Sequence, residues 1–337
     1  THPFLEEGPE RQAMMRKHPF CRNAQRIATP QIKDIYARIV VGLQFRTPGM
    51  SWEGPPRHGK TQTAKILVDL LHRSHPDVPV FFTSAKGHGQ NVQTEKTLWG
   101  EMLSDWGHPG ANVQRTQDRR ENILNLVRTS CRLAGNDQAI LIADETQNWS
   151  SAAQWIQVKD LVISLADSQS SPIDLMVIAF GQSELGLVRA MLSSQGKLDL
   201  IGRFFLDNHQ FHGIRSADEL MEILENFDRA ELAEFPQDSN VSYTQFFFPK
   251  AYAEGWRLAG EAKMIWTAMI NDWSVRSKRA PPDVGMAAAI EVIKRFVFQH
   301  LAADAPDFQG TSDMWSKTIE GSHFRELQLN RAKVTSR

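Results

Sequence analysis

Cysteine is scarce in this sequence. Cys21 and Cys131 are the only two in 337 residues, and neither sits in a CxxC spacing. That excludes a zinc ribbon and a secreted disulfide framework, and it makes a reducing, cytoplasmic setting the expectation. Long hydrophobic runs are missing too: nothing approaches the roughly 18 apolar residues of a membrane span, and the amino end has no basic-then-apolar signal pattern. No membrane partner is expected. Net charge is also absent, because 38 Lys and Arg face 39 Asp and Glu. Bulk attraction to polyanions is thereby excluded, but the charges are segregated. Residues 1–60 carry 10 basic and 5 acidic side chains, whereas residues 137–240 carry 6 and 17. A neutral chain of this kind can still present a local polyanion-binding face. His18 with Cys21, and His209 with His212, have loosely metal-like spacings without a second ligand pair, so no metal site is expected from them.

What is present is ordinary globular material, with 41% apolar and 23% charged residues, in a chain long enough for two or three cores. Residues 1–28 are polar and show no sustained period, which predicts an arm. Thr29-Pro30 supplies a helix start, and apolar residues at helical spacing predict a helix over about 30–44. Short apolar runs predict strands at 49–53, 78–83, 138–143 and 173–180, with a fifth over 203–211. Helices are predicted between them at about 63–73, 92–106, 117–134, 151–167 and 184–193, the fourth opened by a capping box at Ser151 and Gln154. Strands that are apolar throughout and alternate with helices indicate an α/β core with a mainly parallel five-stranded sheet covered on both faces. After Ile214 the pattern is all-α, with helices predicted from Ser216, over 251–271 and over 284–301. The expected division is an arm (1–28), an α/β core (29–215), an all-α lid (216–302) and an irregular tail (303–337).

The most informative stretch is Gly54-Pro55-Pro56-Arg57-His58-Gly59-Lys60-Thr61, followed by Gln62. It matches G-x-x-x-x-G-K-[ST] between a predicted strand and a predicted helix, the context that a P-loop (Walker A) requires. The glycines let main-chain N–H groups approach phosphate oxygens, and the following helix directs its positive end at the same charge. Lys60 is placed to hold β- and γ-phosphates and Thr61 to ligate Mg²⁺, so ATP and Mg²⁺ are the expected cofactors. Asp144 and Glu145 end an apolar strand, where the ligand crevice of a parallel sheet lies. Asp144 suits the magnesium side and Glu145 the polarisation of an attacking water, although adjacent acids there equally suit a helix cap. Gln182 and Ser183 close the next strand and are candidates for sensing the γ-phosphate; either also suits a buried turn. Arg203 is the candidate for an arginine finger, with Arg189 as its rival and Arg257 as a lid residue over the nucleotide.

This ordered set resembles the AAA+ ATPases. More narrowly, Gly181-Gln182-Ser183-Glu184-Leu185 and Phe211-His212-Gly213-Ile214 are similar to the TnsC, TniB and MuB group of transposition regulators, and the Met50–Glu53 lead-in looks most like TnsC of CRISPR-associated transposons. The resemblance implies a bacterial, DNA-associated ATPase that forms a homo-oligomeric ring or helical filament on double-stranded DNA. It also implies transposase subunits and a TniQ-type targeting adaptor as partners. Head-to-tail contacts in such an assembly would bring Arg203 to a neighbour's ATP. DNA-binding side chains would then lie after the second strand and on the adjoining helices. That region holds Thr83, Ser84, Lys86, His88, Gln90, Asn91, Gln93, Thr94, Lys96, Arg115, Thr116, Arg119 and Arg120, of which Lys86, Thr94, Lys96, Arg115 and Arg119 are the chosen contacts. Each equally suits a solvated loop. A helicase-loader-like remodeller and a non-hydrolysing nucleotide-bound adaptor are the alternative functions; Glu145 beside Asp144 argues against the second.

Overall fold

The computed structural model describes residues 2–87, 94–169, 171–274 and 283–332, without the side chains of 329–332. His88, Gln90, Asn91 and Gln93 therefore lie outside the described residues. The chain forms two compact units, one of Ile35–Pro56 with Lys60–Phe211, the other of Thr1–Asp34 with Arg57–Gly59 and His212–Arg337.

After α1 (Pro9–Lys17), the chain runs through α2 (Pro30–Gln44), β1 (Gly49–Glu53), α3 (Lys60–Ser74), β2 (Val80–Ser84), α4 (Glu95–Asp105) and α5 (Thr116–Ala134). It continues with β3 (Gln138–Asp144), α6 (Ala152–Ala166), β4 (Asp174–Gly181), α7 (Leu185–Ser194), α8 (Leu198–Phe204) and β5 (Asp207–Gln210). All five strands are parallel, in the order β2-β3-β4-β1-β5. The central strands carry no polar alternation because both of their faces are covered: Ile140 to Ala143 and Val177 to Phe180 are all at most 1% exposed. Register aligns Glu53 with Gly181 and Ala143 with Ala179, so the carboxyl ends of β1, β3 and β4 share one edge. The capping box holds, with the Ser151 N–H donating to Gln154 Oε1 at 2.9 Å.

The fifth strand is shorter than expected. Residues 203–211 do not form one strand: Arg203 lies in the last turn of α8, and β5 is the polar tetrapeptide Asp207–Gln210 on the sheet edge. The apolar pair Phe204-Phe205 imitates a strand in sequence, but its rings pack on Trp155 of α6 at 5.5 and 4.7 Å.

The second unit is helical: α9 (Ala217–Asp228), α10 (Tyr243–Phe247), α11 (Pro249–Ala253), α12 (Ala262–Ser274), α13 (Met286–His300), α14 (Ser312–Glu320) and α15 (Phe324–Ala332). The helix expected over 251–271 is broken after Ala253, and a 3₁₀ turn at Leu258–Glu261 leads into α12. The expected arm is folded into this unit. Phe20 and Ile27 join its core, and Arg11, only 6% exposed, donates to the carbonyls of Phe246 and Phe247 at 3.1 and 2.9 Å. His18 is sealed among the rings of Phe235, Tyr243, Phe246 and Phe247, and burial pulls its pKa down to about 3, so it is a neutral core residue.

Within the described residues 303–332, the expected irregular tail is ordered as well. Trp315 and Phe324 are fully buried, and Glu261 accepts from Trp256 Nε1, Trp315 Nε1 and the Gly310 N–H. Gly and Pro near its start disguise the apolar period of α14. Within this unit Arg57 and Gly59 turn through positive φ (64° and 100°), and His58 lies 3.4 Å from Asp283, which also accepts from the Gly213 N–H.

Candidate nucleotide-binding site

The site is built at the carboxyl edge of the sheet. Gly54 leaves β1 so close to Phe211 that a Cβ there would come within 2.2 Å of the Phe211 carbonyl oxygen, which excludes any side chain. Lys60 opens α3 and is 5% exposed. Its ammonium donates to the carbonyls of Gly54 (2.8 Å) and Pro55 (2.6 Å) and lies 6.0 Å from the Phe211 ring centroid. Burial pulls its pKa down to about 8, against the opposing charges of Glu145, Asp144 and Glu184. Gln62, on the first turn of α3, is exposed.

Asp144 ends β3 and is 1% exposed. Burial pushes its pKa up; the side-chain hydrogen bond from Thr61 opposes that shift and the charge of Glu145 adds to it. Its Oδ1 is buried without a hydrogen-bond partner. An orphan carboxylate oxygen next to the Thr61 hydroxyl is a hard-oxygen donor set, which fits Mg²⁺. Among the described residues no group of three or more His, Cys, Asp or Glu is arranged to hold a metal, so a cation here would have to share its coordination with phosphate and water.

Glu145 follows at φ 55°, in the left-handed region that a non-glycine residue enters at a cost of about 1–3 kcal/mol. Its Oε2 accepts from Gln182 Nε2 at 3.1 Å and from Gln147 Nε2 at 2.6 Å. The structure thus brings Lys60, Thr61, Asp144, Glu145 and Gln182 to one edge of a single unit. Gln147 escaped the sequence reading. Its signal was its place two residues after Glu145, in a turn whose direction only the fold reveals. Glu53 was also missed: it is 6% exposed at the end of β1, accepts from Gln210 at 2.8 Å and pairs with Arg189 at 3.5 Å.

The two candidate fingers are separated by the sheet. Arg189, through Glu53, sits at the carboxyl edge. Arg203 sits at the amino edge, where its carbonyl would lie 2.8 Å from a Cβ on Gly49, and it lines a small cavity with Gln138 and Asp174. The length of β1, about 13 Å, separates Arg203 from the site in the same chain. Arg257 stacks over Tyr252 at 3.5 Å and donates to the carbonyls of Tyr252 and Trp256.

The DNA candidates divide by what their polar atoms already do. Arg119 donates to the carbonyls of Val113 (2.7 Å) and Lys96 (2.6 Å), holding the 106–115 connection against α4, and Thr94 caps α4 by accepting from the Thr97 N–H at 3.2 Å. Both therefore have a structural role beside the DNA contact expected of them. Lys86 and Arg115 are exposed, and Lys96 is half-buried with its ammonium 3.2 Å from Gln114 Oε1.

Solved structures share this architecture. The ORC2 protein of Aeropyrum pernix in its ADPNP and ADP complexes aligns with TM-score 0.57 at 14% identity, over 86% of this chain and 66% of that one. The chain has an AAA+ fold. The ADP form of the same protein aligns with TM-score 0.52 at 16% identity, over 89% and 70%. The ORC1 protein of that organism in complex with DNA aligns with TM-score 0.50 at 11% identity, over 89% and 68%. The chain therefore spans about two-thirds of the length of these structures. No family model and no curated protein matches the sequence. No helix among the described residues is long and apolar enough to cross a membrane.

Proposed function

We propose that the chain is an ATP-hydrolysing AAA+ protein that assembles head to tail on duplex DNA, as a ring or filament, and regulates transposition by linking a TniQ-type targeting complex to transposase. The observation that carries the ATPase reading is the convergence of Lys60, Thr61, Asp144, Glu145 and Gln182 at one sheet edge. The transposition reading is supported by the Gly181–Leu185 and Phe211–Ile214 motifs, and the DNA reading by the exposed cations Lys86 and Arg115.

The loop from Gly54 to Gln62 cradles the polyphosphate, and Lys60 holds its β- and γ-oxygens by a charge-assisted contact. Thr61 and the orphan oxygen of Asp144 are the protein ligands available to Mg²⁺. When bound, that ion supplies charge neutralisation across the phosphates. Glu145 accepts a hydrogen bond from the attacking water and aligns it with the γ-phosphorus, while Gln182 ties the end of β4 to the same carboxylate. Arg203 approaches the nucleotide of a neighbouring subunit.

The test is multiple-turnover phosphate release with and without duplex DNA, joined to particle images with an ATP analogue. Glu145→Gln should still bind nucleotide and assemble on DNA while its turnover falls about 10²–10⁴-fold. Nucleotide-independent assembly, or turnover of Glu145→Gln at the unmodified rate, would overturn the reading. Co-purification with transposase or TniQ tests the partner assignment.

A further inference from the structure

The 3₁₀ turn Thr146–Asn148 is bonded to three places at once. Thr146 Oγ1 donates to the Phe180 carbonyl at 3.0 Å, within β4. Gln147 donates through Nε2 to Glu145 Oε2 at 2.6 Å and accepts through Oε1 from the Gln182 N–H at 2.9 Å. Asn148 Nδ2 donates to the Ala85 carbonyl at 2.8 Å, and the Ala85 N–H donates to the Asp144 carbonyl at 2.9 Å. One turn therefore joins the segment carrying Lys86 to the end of β4 and to the carboxylate of Glu145.

Two amide donors, from Gln147 and Gln182, converge on a single oxygen of Glu145, which fixes the direction in which the other oxygen is presented. The backbone of Glu145 lies in the left-handed region, a conformation that persists only where surrounding contacts impose it. Gln147 supplies such a contact. Asn148 grips the carbonyl next to Lys86, so a displacement of that segment is transmitted to the turn through a short, directional bond.

We infer that the Thr146–Asn148 turn couples the segment after β2 to the general base, with Gln147 as a positioning residue for Glu145 and Asn148 as the tether. The inference rests on the proposed role of Glu145 in hydrolysis. A phosphate backbone engaged at Lys86 pulls on Ala85, Asn148 carries the shift into the turn, and Gln147 re-aims the carboxylate. Reaction geometry is sensitive on this scale, since a misplacement of about 1 Å costs on the order of 100-fold in rate.

The experiment uses the full chain and measures kcat and KM for ATP with and without duplex DNA. Gln147→Met keeps the length of the side chain but removes both amide contacts. Its kcat should fall about tenfold or more, with KM and ATP affinity held within about twofold. Gln147→Asn, whose amide is one methylene short, serves as the second variant and should fall in the same direction. Asn148→Ala should keep its DNA-free turnover and lose the change that DNA produces. Turnover of Gln147→Met within twofold of the unmodified protein, while Glu145→Gln is inactive, would overturn the positioning role and leave the ATPase reading intact. A full DNA response in Asn148→Ala, or no DNA response in the unmodified protein, would overturn the coupling. If Glu145→Gln hydrolyses normally, the underlying reading itself has failed.

Discussion

If Lys60 holds polyphosphate as proposed, its environment should make nucleotide binding depend on pH. Lys60 is 5% exposed, and burial lowers its pKa from 10.5 to about 8. The charged form is about nine-tenths of the population at pH 7 and about one-tenth at pH 9. Polyphosphate binds that form, so affinity should fall about tenfold between these values, or about 1.4 kcal/mol. Isothermal titration with a non-hydrolysable analogue reads it directly. Lys60→Arg remains charged throughout and should show a level profile at lower affinity. Stability has the opposite trend. Because the folded-state value lies below the unfolded one, burying the charge costs about 3 kcal/mol below pH 8, and that cost is relieved as pH rises towards 10.5. Nucleotide-free Lys60→Met escapes the cost and loses hydrogen bonds to two carbonyls at about 1 kcal/mol each. It should then be no less stable than the unmodified protein at pH 7 by chemical denaturation. Affinity that is flat from pH 7 to 9, together with a strongly destabilised Lys60→Met, would refute the assignment of Lys60 as a buried, phosphate-seeking cation.

Arg203→Ala should bind ATP normally yet lose turnover by about a thousandfold or more, and doping it into unmodified protein should depress activity beyond its mole fraction; loss merely in proportion returns the role to Arg189. Lys86→Ala with Lys96→Ala should weaken DNA binding alike on all sequences and lower the salt slope by about 0.9 for each lost contact, which titrations at several salt concentrations will check. Arg119→Ala should instead act on stability, by about 1–3 kcal/mol, because it leaves the carbonyls of Lys96 and Val113 without their donor; an unchanged melting temperature with weakened DNA binding would restore it to the contact surface.

Local chemistry was legible in the sequence wherever neighbours along the chain settle it. The strand-to-helix turn over Gly54–Gly59, the apolar strands β3 and β4 and the capping box at Ser151 each depend on a handful of consecutive residues, and the sheet they imply is the one observed. Tertiary structure decided whatever depends on contacts across the chain. Residues 1–28 look like an arm because they are polar, yet Arg11 satisfies two carbonyls more than 230 residues away. Arg119 reads only as a candidate phosphate contact in the sequence, and the fold adds the two carbonyls it serves. Phe204 and Phe205 look like strand residues until Trp155 is beside them. Gln147 has no motif at all, and only the register of β3 against β4 sets its amide between Glu145 and Gln182. A short-range pattern specifies which chemistry is available, but the partner of each long polar side chain is chosen by packing, because a buried donor or acceptor must be satisfied by whatever the fold brings within about 3 Å.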